Sequence, residues 1–328
     1  MTSEFNDLGF EKYFYAKGMR SIAGQFTQNN RCGIYILHFE NSEYYVGLAT
    51  DVVKRYAQHR LNHKDIVHVS FKEVVKSKLI EIEKETVYAL ENLKKALRNI
   101  NIVSTIIGET DFDLVVSVED QMKWTNYELP MDTVKTKRFE YSELRNKYTK
   151  KFEQLKSFEY FDEICTILNA YAIETIPYPR KAEYSFWSVS CLPSTGAGAL
   201  YRLNIYWQET LICYREDFEK ENGIKESDYS ICVYLSKSIF ELNFNKFEFS
   251  KQFETIHFPE GILESGGQDQ MRIAVAGYEF FKLFGIIEIK NAIKDFNLRL
   301  LRKGGCIWNR YHCFDLADKA LDTNMYED

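Results

Sequence analysis

The stretch Ile34-Tyr35-Ile36-Leu37-His38-Phe39 constrains this chain more than any other. Its alternation has the period of a β-strand and puts Tyr35, Leu37 and Phe39 on one face. Glu40-Asn41-Ser42-Glu43 is a polar turn, and Tyr44 to Leu48 reads as the partner strand of a hairpin. That pairing brings Tyr35 and Tyr45 close together on adjacent strands. Thr50 or Asp51 then offers an oxygen to the free N–H groups of a following helix. On that helix Arg55 and His59 are four residues apart and share a face. Two phenols, a guanidinium and an imidazole therefore converge on one small region, a set that no packing argument requires.

The elements Gly33-Ile34-Tyr35, Tyr45-Val46-Gly47 and Arg55 resemble, in order and spacing, the signature of the GIY-YIG nucleases, over about residues 31–100. His59, one turn after the Arg, is also common in that family. The resemblance implies a fourth element, a Glu on a later helix, where Glu81, Glu83 and Glu85 compete. At about 100° per residue, Leu79, Ile82, Thr86, Leu90, Leu93 and Leu97 cluster within one arc, which Ile80 and Val87 extend. Glu83 projects into the middle of that arc, whereas Glu81 and Glu85 fall towards solvent. A carboxylate amid an apolar stripe is costly unless paired or bound to a metal. The family pattern agrees, since its Glu is followed four residues later by an apolar residue, here Val87. Glu83 is selected, with Glu85 as the fallback if the helix register differs.

The resemblance also implies a chemistry. Glu83 would anchor a Mg²⁺ or Mn²⁺ ion, since such ions keep several waters and need few protein ligands. Arg55 offers a planar fork that matches phosphate oxygens. Tyr35, or else Tyr45, would serve as base for the attacking water, its pKa lowered by the cation and Arg55. Tyr35 is the first choice, leaving Tyr45 to position water or phosphate. His59 either bonds a phosphate, shuttles a proton or packs on the helix face. One departure is Leu48, where some members carry a polar or basic residue straight after Tyr-Val-Gly. Auxiliary charge must then come from Lys54, His63 or Lys72, the last of which shares a face of a third strand with His68.

Charge is divided along the chain. The 328 residues carry a formal −6, but residues 45–100 hold eleven Lys/Arg against seven Asp/Glu, a balance of +4. A basic module is thus joined to an acidic remainder, as expected where one half touches phosphate. The 45% apolar and 15% aromatic content is ample for real cores and argues against disorder. No run of 18 apolar residues occurs and the N-terminus lacks a signal-peptide pattern, so a soluble, cytoplasmic protein with no membrane partner is expected. Seven scattered cysteines suit reduced thiols. Cys306, His312 and Cys313 form the one cluster with zinc-ligand residue types, without a CxxC pair.

The length favours more than one domain. Residues 1–30 read as an irregular arm or short helix laid on the core. Residues 31–130 comprise the nuclease domain and a connector. That domain has a small three-stranded mixed sheet with flanking helices, its third strand over Val67–Val75 and its long helix from about Lys78 to Asn99. In the connector, Asp111 and Asp113 are either a second metal site or a turn cap. Pro130 to Thr133 marks a boundary, and 131–175 is a helical linker, a spacer or dimer helix, with periodic apolar residues from Leu144 to Phe158. Residues 176–328 form a second α+β domain. Its expected strands lie at Tyr184–Cys191, Leu200–Tyr214 and Ser230–Leu235, and a helix follows Ser265-Gly266-Gly267 from Gln268 to about Phe284. Arg299 to Tyr311 interleaves Arg299, Arg302, Lys303 and Arg310 with Trp308 and Tyr311. That pattern suits either nucleic-acid binding, led by Arg302 and Lys303, or a solvated helix face.

The reading is an α+β protein acting as a metal-dependent endonuclease on DNA, with RNA not excluded. The C-terminal domain would recognise a target or partner, or self-associate through its acidic half. The alternative is a catalytically silent nucleic-acid-binding or accessory subunit of a DNA-processing or anti-foreign-DNA complex.

Overall fold

A computed structural model describes residues 3–128, 142–196, 198–219 and 225–322. The chain separates into two compact units, Met1–Gly108 and Glu109–Asp328, each taken here by itself.

The first unit is built on the expected hairpin. It follows a short helix α1 (Ser3–Asp7) and a strand β1 (Lys12–Tyr15), and consists of β2 (Gly33–Phe39) and β3 (Glu43–Ala49). Ser42 takes a left-handed φ of 63° in the connecting turn. Helix α2 (Val52–Asn62), strand β4 (Ile66–Glu73), helix α3 (Leu79–Asn92) and strand β5 (Ala96–Leu97) complete the unit. The strand order is β1-β4-β2-β3-β5, antiparallel except for β3 with β5. The three strands expected from sequence are present and antiparallel to one another, and a strand added at each edge makes a five-stranded mixed sheet.

Strand alternation gives the sheet two apolar faces. Tyr35, Leu37 and Phe39 of β2 pack with Val69 and Phe71 of β4 and with Val52 and Tyr56 of α2. Ile34, Ile36 and Val46 pack on the other face with Leu79, Val87 and Leu90 of α3. Two expectations are corrected at the edges. Residues 12–15, read as an arm or short helix, form a strand whose Tyr13 and Tyr15 meet His68 on the second face. The helix expected to reach Asn99 stops at Asn92, Lys94 takes a left-handed φ of 56°, and Leu97 is buried from β5. Leu93 (43% exposed) and Ile80 (68%) therefore lie outside the buried arc proposed for them.

The second unit is a five-stranded antiparallel sheet, β10-β9-β8-β7-β6. Its strands are β6 (Trp187–Cys191), β7 (Ala199–Ile205), β8 (Gln208–Glu219), β9 (Lys225–Leu235) and β10 (Met271–Ala276). A helix α4 (Val118–Thr125) precedes α5 (Phe161–Thr175), α6 (Ile287–Lys303) and α7 (Phe314–Ala320). Leu200–Tyr214, read as one alternating run, is a hairpin that turns at Tyr206, whose φ is 54°. The helix expected over Gln268–Phe284 is instead strand β10 followed by a short helix, because Met271, Ile273 and Val275 alternate into the core. The Ser265-Gly266-Gly267 loop thus leads into a strand and has no helix N-terminus to offer a phosphate. Helix α5 is apolar on nearly every side and lies inside the core of this unit. The Pro130–Thr133 boundary and residues 138–141 lie outside the described residues. Among the described residues no helix is long and apolar enough to cross a membrane.

Candidate active site

The site sits where β2, β3 and α2 meet. Asp51 caps α2, its carboxylate accepting from the Val53 and Lys54 N–H groups. The capped helix carries Arg55 and His59 towards the β2 face that bears Tyr35. Gly47 pairs with Tyr35 across the hairpin, and a Cβ there would stand 2.3 Å from the Tyr35 oxygen. Only glycine lets the phenol lie flat against β3.

Arg55 Nε donates to the Tyr35 oxygen at 3.3 Å, and that oxygen lies 2.8 Å from His59 Nε2. The phenolic proton is thus left for His59, whose Nε2 accepts in the neutral tautomer that this pattern assigns. Arg55 Nη1 also donates to Gln58 Oε1 at 3.0 Å. Tyr45 stands 6.3 Å from Tyr35 and 4.7 Å from His59, ring centre to ring centre. Four of the expected site residues are therefore in one constellation.

Its electrostatics differ from expectation in one respect. Tyr35 is 1% exposed, and burial pushes its phenol well above the ordinary value, helped by Tyr45 and Glu83. Arg55 pulls the other way through its hydrogen bond and charge but is outweighed. In the protein alone Tyr35 is therefore a neutral phenol, and the lowering expected for it rests on the cation. Burial likewise raises Tyr45. Burial, then Arg55 and His63, hold His59 down to about 4, so its imidazole is neutral and ready to accept near neutral pH.

Glu83 approaches from α3. Its Oε1 accepts from the Leu48 N–H at 3.1 Å, on the side of β3 that β5 leaves uncovered. Its charge acts on both Tyr35 and Tyr45. Glu83 is half-buried whereas Glu81 and Glu85 are exposed, as the helical arc requires. Asn99 fills the neighbouring stretch of the same edge, accepting from Val46 N–H at 2.9 Å and donating to Val46 O at 2.8 Å. Sequence reading missed Asn99 because it placed the residue in a helix, and no glycine or proline marks the break at Lys94. Among the described residues no group of three or more His, Cys, Asp or Glu forms a metal cage. One half-buried carboxylate among hydroxyl and backbone groups fits a hydrated Mg²⁺ or Mn²⁺ and does not fit zinc.

The auxiliary residues separate. Lys54 is exposed beside Arg55, and His63 stacks on His59 at 5.9 Å. Lys72 sits on the opposite sheet face, paired with Ile34, and its ammonium donates to Leu8 O at 3.0 Å. In the second unit, Lys303 is buried and bonds Ser265 O, Arg302 lies 3.7 Å from Asp113, and Arg299 pairs with Asp295 and Asp269. Most of the basic run is committed inside its own unit. Asp113 caps Thr110 and accepts from Gln121, the turn-capping alternative of the two considered. His312 is bound to Glu183 and to Val189 N–H, and Cys306 lies against Ser188, so these residue types are not gathered around one point.

Residues 31–99 match the family model of the GIY-YIG catalytic domain. No curated protein and no solved structure matches the chain.

Proposed function

We propose, from a GIY-YIG catalytic domain in residues 31–99, that this protein is an endonuclease that hydrolyses DNA phosphodiester bonds with a divalent cation held by Glu83. The observation that carries the reading is the donor chain Arg55 to Tyr35 to His59, on which the Glu83 carboxylate acts by its charge. Bound there, the cation would neutralise charge on the phosphate and stabilise the departing oxygen.

The chain's own residues supply the rest. Arg55 keeps Nε on Tyr35 and Nη1 on Gln58, which fixes the plane of a guanidinium able to meet phosphate oxygens. Tyr35 takes a proton from the attacking water while passing its own to His59 Nε2, so no free phenolate is needed beforehand. Neutral His59 leaves Nε2 unprotonated and open to that proton, although the same burial makes it a weaker base. Tyr45, against the same imidazole, limits its motion and presents a second hydroxyl to water or phosphate. Glu83 holds its place through the Leu48 N–H.

The deciding experiment is purified full-length protein with Mg²⁺ or Mn²⁺ against single-stranded, duplex and branched DNA and matched RNA. Cation-dependent cutting of DNA that chelator abolishes is the expected result. Binding without cutting under any cation would assign the silent nucleic-acid-binding module instead.

A further inference from the structure

Arg98 has no part in the donor chain, yet it is gripped on several sides. Its Nε donates to Glu43, and Nη1 and Nη2 take both carboxylate oxygens of Asp65. The guanidinium lies 3.6 Å over the Phe39 ring. That placement sets Nη1 3.5 Å from His63 Nδ1. His63 terminates α2, its N–H donating to His59 O at 2.8 Å, and its ring lies within 22° of parallel to the His59 ring. His59 is thereby held between His63 on one side and Tyr45 and Tyr35 on the other.

We propose that Arg98 is a positioning residue for cleavage: its guanidinium keeps His63 uncharged, so that the stacked His59 stays able to accept the Tyr35 proton. The link to cleavage rests on the nuclease reading above, whereas the link from Arg98 to His63 rests on the geometry alone.

A guanidinium N–H directed at Nδ1 leaves no place for a proton on that nitrogen. The charged and titratable groups around His63 are Arg98 at 3.5 Å, Asp65 acting by its charge and bonded to Arg98, Glu43 through Arg98, and His59 on the same helix. Burial and Arg98 lower the proton affinity of His63, and Asp65 opposes them. With Arg98 removed, the Asp65 carboxylate acts on His63 against burial alone, and the balance moves towards the charged form. A cationic His63 stacked on His59 would then repel the second positive charge that proton acceptance creates.

The test uses the full-length protein with Arg98→Ala, Arg98→Lys, Asp65→Asn and the double variant Arg98→Ala/Asp65→Asn. Imidazole resonances are followed by NMR against pH, and Mg²⁺-dependent cleavage rates are measured over the same range. In Arg98→Ala the His63 titration should rise by about one pH unit or more, and the acid limb of the cleavage profile should move up with it. Removing the Asp65 carboxylate in the double variant should return both towards wild type. Arg98→Lys should show a smaller rise, and Asp65→Asn alone should depress His63 further, which keeps the test intact if Arg98→Ala does not fold. A cleavage defect equal at every pH, with His63 unmoved or no recovery in the double variant, would overturn the proposal. If the wild-type protein cuts nothing, the nuclease reading fails, while the NMR titrations still decide whether Arg98 controls His63.

Discussion

The buried polar clusters of the two units differ in what their members are held ready to do. In the second, neighbours complete several such groups: Asn297 bonds Tyr171 and Thr175, His312 is fixed by Glu183 and a backbone N–H, and Arg299 is clasped by Asp269 and Asp295. In the first, neighbours leave polar groups poised. Tyr35 is raised by burial although an Arg touches it, and His59 is held uncharged while it faces a phenol. Burying titratable groups away from water costs stability inside a protein. The displaced proton affinities gathered between β2, β3 and α2 fit the site proposed there.

The comparison breaks most visibly at Glu83. Glu83→Gln keeps an acceptor for the Leu48 N–H, so the fold should persist while cleavage is abolished. Glu85→Gln, exposed on the same helix, should cut like wild type. The reverse pair of results, read by a plasmid-nicking assay, would move the cation to the next half-turn. Tyr35→Phe comes next. It keeps the ring against Gly47 but deletes the relay hydroxyl, and should lower the cleavage rate by about two to four decades with an unchanged melting temperature. Arg55→Lys keeps the charge and loses the fork, and its defect should fall short of additive with Tyr35→Phe, since both act on one transition state.

Much of this site was legible because its parts are local. The β2–β3 hairpin, the Asp51 cap and the Arg55–His59 face need only a few consecutive residues each, and the 3.6-residue period alone separates Glu83 from Glu81 and Glu85. What escaped was set by distant partners. β5 exists because Glu43 and Tyr44 offer it an edge, and with it come Arg98 and Asn99. β10 looked helical until its pairing with Ser230–Leu235 appeared. The same holds for Arg299 and Lys303: their charges suggested a surface, and only partners some thirty residues away turn them inward.

Acid should separate the units by a smaller amount. His38 is buried on Ser70 Oγ, and burial lowers it from 6.5 to about 4. Above pH 6.5 it is neutral folded or unfolded. Between 6.5 and 4 the unfolded chain gains a proton that the folded site refuses, so stability falls with pH through that window, by about 3 kcal/mol from this residue at most. His59 is displaced in the same direction. Hydrogen exchange by mass spectrometry should show peptides from 33–73 losing protection on acidification before those of the second sheet, and His38→Asn should reduce the difference. Equal loss in both units would mean that the buried histidines do not govern acid sensitivity. In the second unit the matching change is Arg299→Ala, which should lower its unfolding free energy by about 2 kcal/mol, since it strands Asp269 without its cation.

The smallest expected effect concerns salt. Each phosphate contact contributes about 0.9 to the slope of log affinity against log salt concentration on duplex DNA. Lys54 is exposed and adjoins Arg55 on α2, so Lys54→Ala should flatten the slope by about one such step. Arg302 is the other case. It looks equally cationic in the sequence, but its guanidinium lies 3.7 Å from Asp113, a carboxylate that also caps Thr110 and accepts from Gln121. A cation so placed has its counter-charge within its own fold and releases no counterion from DNA. Arg302→Gln should therefore leave the slope where it was, measured by fluorescence anisotropy between low and physiological salt. A slope that flattens in Arg302→Gln as much as in Lys54→Ala would return the Arg299–Tyr311 segment to the nucleic-acid surface and remove the contrast between the two units on this point.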